Sequence, residues 1–221
     1  MKTATITIHP AADGPPLRTC EYRGHTYVGG QPGQRYEVHV TNNTGFRILA
    51  VVTVDGINVT DGSPGSYDGP GMVISGRTTT PFKGWRTSLD AEAAFYIVTA
   101  TASYAAGMGT PANIGVIGLA VFQEKRRAFE VMRGPVARPA VITTRGGQTR
   151  SMGTGFGEAI ASPARTTTFD RNTTTPVVVY EVRYDSTEAL VAAGIMPSEG
   201  GPNPDPNPFP GNPSQTFCPR P

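Results

Sequence analysis

The chain has 221 residues with 19 basic and 17 acidic side chains, a formal net charge of +2. That balance gives no electrostatic reason to expect nucleic acid or an acidic membrane surface as partner. Gly (27) and Pro (21) are abundant and hydrophobic residues make up 38%, which argues against long helices or apolar membrane spans and for many short strands separated by turns.

In chain order, MKTATITIHP at the start shows no apolar leader core and no small-residue cleavage site. The expectation is a cytoplasmic chain, or one incorporated in an assembled particle, without a signal peptide. Residues 3–8 alternate Thr5 and Thr7 against Ile6 and Ile8, a first strand that stops at Pro10. Residues 18–28 read as one or two short strands broken near Gly24. Residues 35–41 alternate with Tyr36, Val38 and Val40 inward and His39 outward. The clearest local signal follows at 48–59, ILAVVTVDGINV. Asp55-Gly56 supplies the two positive-φ positions of a type I′ turn. A two-residue loop then pairs Val54 with Ile57 and Val52 with Val59 on one face, and Thr53 with Asn58 on the other. Leu49 and Val51 add apolar bulk to that second face, so this strand is expected to be covered on both sides.

Residues 61–71, DGSPGSYDGPG, hold too many turn formers for regular structure and form a candidate binding loop. Strands are expected at 72–74, 78–85 and 93–101, a loop at 103–111, and an apolar strand at 113–122 interrupted by Gly115 and Gly118. The expected fold class is all-β, an antiparallel, jelly-roll-like sandwich with its core in residues 1–124, long enough to bury an interior. Residues 125–196 are expected to be an arm with weak strands such as 139–144, a returning strand at 176–184 and a short helix at 186–193. Asp185 is the expected N-cap of that helix, and Glu188 its capping-box partner. Over 125–171 there are 9 basic and 3 acidic groups, so the arm is where this chain concentrates positive charge. The sequence has 16 Arg against 3 Lys, and Arg suits fixed, bidentate pairing. Residues 197–221 contain nine prolines, which favours an extended polyproline-like tail over helix or sheet.

Chemistry-bearing patterns are sparse. His9, His25 and His39 lack metal-ligand spacing. No nucleophile elbow occurs. Gly153-Thr-Gly-Phe-Gly157 lacks the strand-to-helix context of a nucleotide loop and has Glu158 where a P-loop needs lysine, so a turning glycine segment is expected there. Asp61 and Asp68 have the chemistry to bind Ca²⁺ but also read as turn residues. No catalytic residue, metal ligand or cofactor is therefore expected. Trp85 reads first as a core or rim tryptophan; a glycan-stacking platform with Tyr67 or Tyr104 is the alternative, with Arg86 beside it as a charged contact. Cys20 and Cys218 either form a disulfide that pins the tail or stand as separate thiols.

The blocks VVTVDGINV (51–59), GWRTS (84–88), SYAAGMGTPANIGVIGLAVF (103–122), GTGFG (153–157) and VRYDSTEALVAAGI (182–195) resemble a family of uncharacterised proteobacterial proteins. The resemblance covers residues 20–196 and implies no activity. The chain departs from the family pattern at Phe156, where the family carries histidine. The expected function is that of a non-enzymatic structural or interaction protein. It would be an assembly or decoration module of a larger particle such as a virion, with copies of itself or other protein subunits as partners. A carbohydrate-binding sandwich is the alternative, and an enzyme of unidentified type is a third reading.

Overall fold

A computed structural model describes residues 2–11, 14–125 and 150–198. Two β-sheets face one another, and the fold is an all-β sandwich. The first sheet holds β1 (Ala4–Pro10), β4 (Arg35–Asn42), β8 (Thr79–Phe82), β9 (Gly84–Arg86), β10 (Ala91–Thr99) and β12 (Met152–Ala161). In it β4 pairs antiparallel with β1, and its opposite edge is shared by β8 and the middle of β10. The second sheet runs β2 (Thr19–Tyr22), β3 (His25–Gly30), β13 (Val178–Ser186), β11 (Val116–Gln123), β5 (Ile48–Val54), β6 (Ile57–Asn58), with β7 (Met72–Ile74) also on β5. All its pairings are antiparallel except β3 with β13.

The alternation read from the sequence places the core. Tyr36, Val38 and Val40 are buried on β4, and Val52, Val54, Ile57 and Val59 are buried on the hairpin. Asp55 and Gly56 take φ of 52° and 78°, the type I′ turn expected of them. Val54 pairs with Ile57, Thr53 with Asn58, and the Val59 amide donates to the Val52 carbonyl. The second face of β5 is covered as well: Leu49 and Val51 pack with Ala120, Phe122 and the partly buried Phe169.

The later part of the chain departs from the expected arm. Residues 152–161 are a sheet strand, β12, paired with β10 from Ala91↔Ala161 to Thr99↔Met152. The glycines there are not turn formers but sites of close approach. A Cβ on Gly153 would lie 2.6 Å from Ser103 Cβ, and one on Gly157 would lie 2.5 Å from the Tyr96 ring. The returning strand β13 is interior to the second sheet, between β3 and β11. Both sheets thus include residues from beyond 124. Within residues 162–177, Phe169 lies on the outer face of the second sheet and Val177 packs against the core. The short helix α2 (Thr187–Ala192) is capped by Ser186, whose hydroxyl accepts from the Ala189 amide, one residue later than the expected Asp185. Gly194 ends it at φ 67°. A four-residue helix α1 (Tyr104–Gly107), capped by Ser103, sits inside the expected 103–111 loop. The weak strand at 139–144 and the tail beyond 198 lie outside the described residues.

Candidate functional site

One group of titratable side chains is clustered between the sheets. Asp55, at the hairpin turn, accepts from the Gly115 amide (2.8 Å) and the Tyr184 hydroxyl (2.6 Å) on one oxygen, and from the Thr154 amide (2.7 Å) on the other. The Thr154 hydroxyl bonds both Tyr184 (2.6 Å) and Tyr36 (2.7 Å). Tyr36 and Thr154 belong to the first sheet, Asp55 and Tyr184 to the second, so the network ties the sheets together. All four residues are buried. Burial pushes the Asp55 carboxyl above its ordinary value, while hydrogen bonds from Tyr184 and from the Thr154, Gly115 and Val116 amides pull the other way. Burial, with the neighbouring Asp55 charge, pushes both tyrosine hydroxyls well above 10.0. The cluster is mutually satisfied and closed to solvent. It is suited to holding the hairpin turn rather than meeting a substrate.

The predicted contact residues separate into two places. Trp85 is 3% exposed. Phe95 lies edge-on to it at 5.3 Å and Tyr104 at 4.9 Å, and its Nε1 donates to the Gly155 carbonyl at 3.3 Å. Trp85 is a core tryptophan, the first of the two readings its sequence offers, and its ring is not open for a glycan to stack on. Tyr104 is half-buried between Trp85 and Phe156, whose ring lies 5.3 Å away and is 52% exposed. The sequence marks Phe156 by its departure from the family pattern but gives it no contact role, because its segment reads as a turn. Alternation along a strand would have brought it out. Arg86 is tied internally: its guanidinium pairs with buried Glu92 and donates to the Ser162 carbonyl (3.0 Å) and the Ser88 carbonyl (3.1 Å). It fixes the turn before β10 to the chain leaving β12 and is not a free partner contact.

Tyr67 stands elsewhere, 44% exposed, at the wall of a groove of about 470 Å³ on the outer face of the second sheet. The floor is β11, where Gly118 lies between Thr53 and Glu181, and Ala120 between Val51 and Val179. The small side chains in the middle strand and larger ones on both flanks make the concavity. Tyr67 and Ser66 form one wall, Val179, 46% exposed, the other, and Asn113 closes one end. At the opposite end the Arg171 guanidinium lies 4.3 Å over the Phe122 ring. It also donates to the carbonyls of Tyr67 and, at 2.7 Å, Gly69, which pins the 61–71 loop to the sheet. Of the residues lining the groove only Tyr67 has a titratable side chain.

The remaining expectations are quickly placed. Asp61 accepts from the amide (3.0 Å) and hydroxyl (2.7 Å) of Ser63, a self-capped turn. His9 and His39 stack at 4.1 Å on the outer face of the first sheet, brought together by β1–β4 pairing, and His39 bonds Glu37 at 3.0 Å. Among the described residues no group of three or more metal-ligating side chains converges, and no helix is long and apolar enough to cross a membrane. The Cys20 thiol donates to the Ile195 carbonyl at 2.9 Å, and Cys218, the other cysteine, lies outside the described residues. No family model matches the chain, and neither a curated protein nor a solved structure does.

Proposed function

We propose that this protein is a non-enzymatic interaction module, a subunit or decoration of a larger assembly, and that it engages its partner through the groove on the outer face of the second sheet. The observation that carries this reading is the neutrality of that groove. Its lining offers hydroxyl, amide and apolar groups, and glycine backbone that lets a partner come close. Its described lining includes neither a carboxylate nor a histidine for proton transfer, and Glu181 at its margin is paired with Arg183. The one buried acid of the hairpin spends all its contacts on holding the sheets together. Particle components, including those of virions, fit this description: a rigid body presenting a recognition groove.

The test is the mass of the purified full chain in solution, measured by sedimentation over a range of concentrations, for the natural chain and for Val179→Glu. Association that the natural chain shows and the variant loses supports the reading. A monomer throughout, in the natural chain, in Val179→Glu and in a chain that ends at Ser198 and so leaves the groove free of its tail, removes it. A second reading, a neutral glycan in the same groove, is favoured by the half-exposed Tyr67 ring beside Thr53, Ser66 and Asn113. Glycan-array binding that Tyr67→Ala abolishes would support it over the first.

A further inference from the structure

The groove needs an occupant, and the chain's own exit path suggests one. Helix α2 and the residues after it cover the outer face of the second sheet: Leu190 and Ile195 pack on Tyr27, and Met196 lies against Gly29 of β3. Met196, two residues before the last described residue Ser198, thus lies on the same face as the groove, with Pro197 beside Arg18 and Gln31 at the end of the sheet. Gly29 is level with Asp185 of β13, and the groove floor is level with Glu181 and Val179 two strands across. At about 4.8 Å per strand and 3.3 Å per residue, the exit and the groove are separated by roughly 20 Å. From Ser198 the sequence runs EGGPNPDPNPFPG, with proline at every second position from Pro202 to Pro210 and a single aromatic, Phe209, among them. Extended at about 3.1 Å per residue, eleven residues reach roughly 34 Å, enough to bring Phe209 to the groove of the same copy or of a neighbour.

The chemistry is complementary. A proline-rich segment brings little conformational entropy to lose and presents carbonyls and apolar rings, which suit a neutral groove with an aromatic wall. Glu199 and Asp205 are the acidic residues of this stretch. The side chains between exit and groove include Arg150, whose guanidinium donates to the Gly115 carbonyl and lies 6.0 Å from the Tyr27 ring, and Arg183, which pairs with Glu181. Asp185 and Glu181 stand on the same face, so the path is balanced in charge and the fit rests on the neutral groove and the proline-rich segment rather than on the tail carboxylates.

We propose that the groove between Tyr67 and Val179 is the docking site for residues 202–210 of this protein's own proline-rich tail, with Phe209 as the anchor beside Val179. This deepens the interaction reading and rests on it. A tail that docks on a neighbouring copy links subunits, and one that docks on its own copy occupies the recognition groove until a partner displaces it.

The test uses the full chain, labelled at Val and Ala methyl groups, by nuclear magnetic resonance. Expected are through-space contacts from the Phe209 ring to the methyls of Val51 or Val179, lost in Phe209→Ala, together with shifts of the Gly118 and Ala120 amides. The exposed Val179→Glu should remove the same contacts while leaving the core signals of Val38 and Val52 in place. Mixing labelled and unlabelled copies distinguishes docking within a copy from docking between copies, and either outcome supports the proposal. Absence of ring–methyl contacts, groove signals unmoved by Phe209→Ala, or contacts from a different segment would overturn it. If the solution mass shows association while these contacts are missing, tail docking falls and the interaction reading stands. If both are missing, both fall.

Discussion

Two regions of this molecule invite a functional reading, and they fail and succeed for opposite reasons. The network of Asp55, Thr154, Tyr184 and Tyr36 has the titratable groups an active site needs but lies closed between the sheets. The groove over Gly118 and Ala120 is open, but its lining is neutral apart from one tyrosine hydroxyl. Catalysis by acid, base or nucleophile requires both properties in one place. Among the described residues these two properties stand in different places, and that separation is the basis for proposing a recognition face. The comparison can be broken by showing that the network matters for something other than stability, or that the groove matters for stability.

The largest effect is expected at the network. Asp55→Ala leaves two amides and a tyrosine hydroxyl unpaired and puts alanine at φ 52°. The expected loss is about 3–5 kcal/mol, read from urea unfolding. Asp55→Asn tolerates the left-handed turn and keeps an acceptor, so its loss should be smaller, about 1–3 kcal/mol. Trp85→Ala belongs to the same class, with about 3–5 kcal/mol expected for removing a core ring. A mild effect there would mean that Trp85 is available at the surface after all.

The tyrosines give the network a signature in pH. Both hydroxyls are raised in the folded state, above the ordinary 10.0. Their contribution is therefore fully present below pH 10 and lost as pH rises through the folded values, because unfolding then releases protons. Each group steepens the decline of unfolding free energy by up to about 1.4 kcal/mol per pH unit in that window. Tyr36→Phe should lower the slope above pH 10 by one group's share, whatever it does to stability at neutral pH. An unchanged alkaline slope would mean that the hydroxyl meets solvent.

How much of this was legible in the sequence follows from the range of each interaction. The Asp55-Gly56 hairpin and the β4 alternation were readable because turn type and side-chain parity are local properties. That Asp55 is also the hub of a network was not, because its partners stand 60, 99 and 129 residues away. Parity puts Tyr36 inside but says nothing about a hydroxyl 118 residues off. Residues 153–157 misled in a different way. Glycine is a turn former by propensity, and only the approach of Ser103 and Tyr96 explains its place in β12. The groove was invisible because its shape comes from the small Gly118 and Ala120 lying next to the larger Val51 and Val179 across two strand pairings. Tyr67 was picked as a contact from its loop's composition, whereas Trp85, picked for its chemistry, belongs to the core.

Arg171 connects the two halves of the comparison at moderate cost. Its guanidinium covers Phe122 and holds the carbonyls of Tyr67 and Gly69. Arg171→Ala should cost about 1–2 kcal/mol. It should also speed hydrogen exchange at residues 66–69, since the loop loses its tie to the sheet.

The smallest effect on stability is expected where the effect on binding is greatest. Val179 is 46% exposed on an outer face, so Val179→Glu should change unfolding free energy by no more than about 0.5 kcal/mol. The same substitution places a charge against the groove wall, where an apolar or proline-rich segment would have to desolvate it. Association or tail contact should then disappear while the thermal midpoint holds. Gly118→Ala probes the floor: its Cβ would meet the Thr53 hydroxyl at 2.6 Å, so the stiff β-branched Thr53 must change rotamer or the floor must shift, and tail contact should weaken at some cost in stability. If Val179→Glu were instead to unfold the protein, the face now described as open would be part of the core, and the contrast between a sealed network and an accessible groove would collapse.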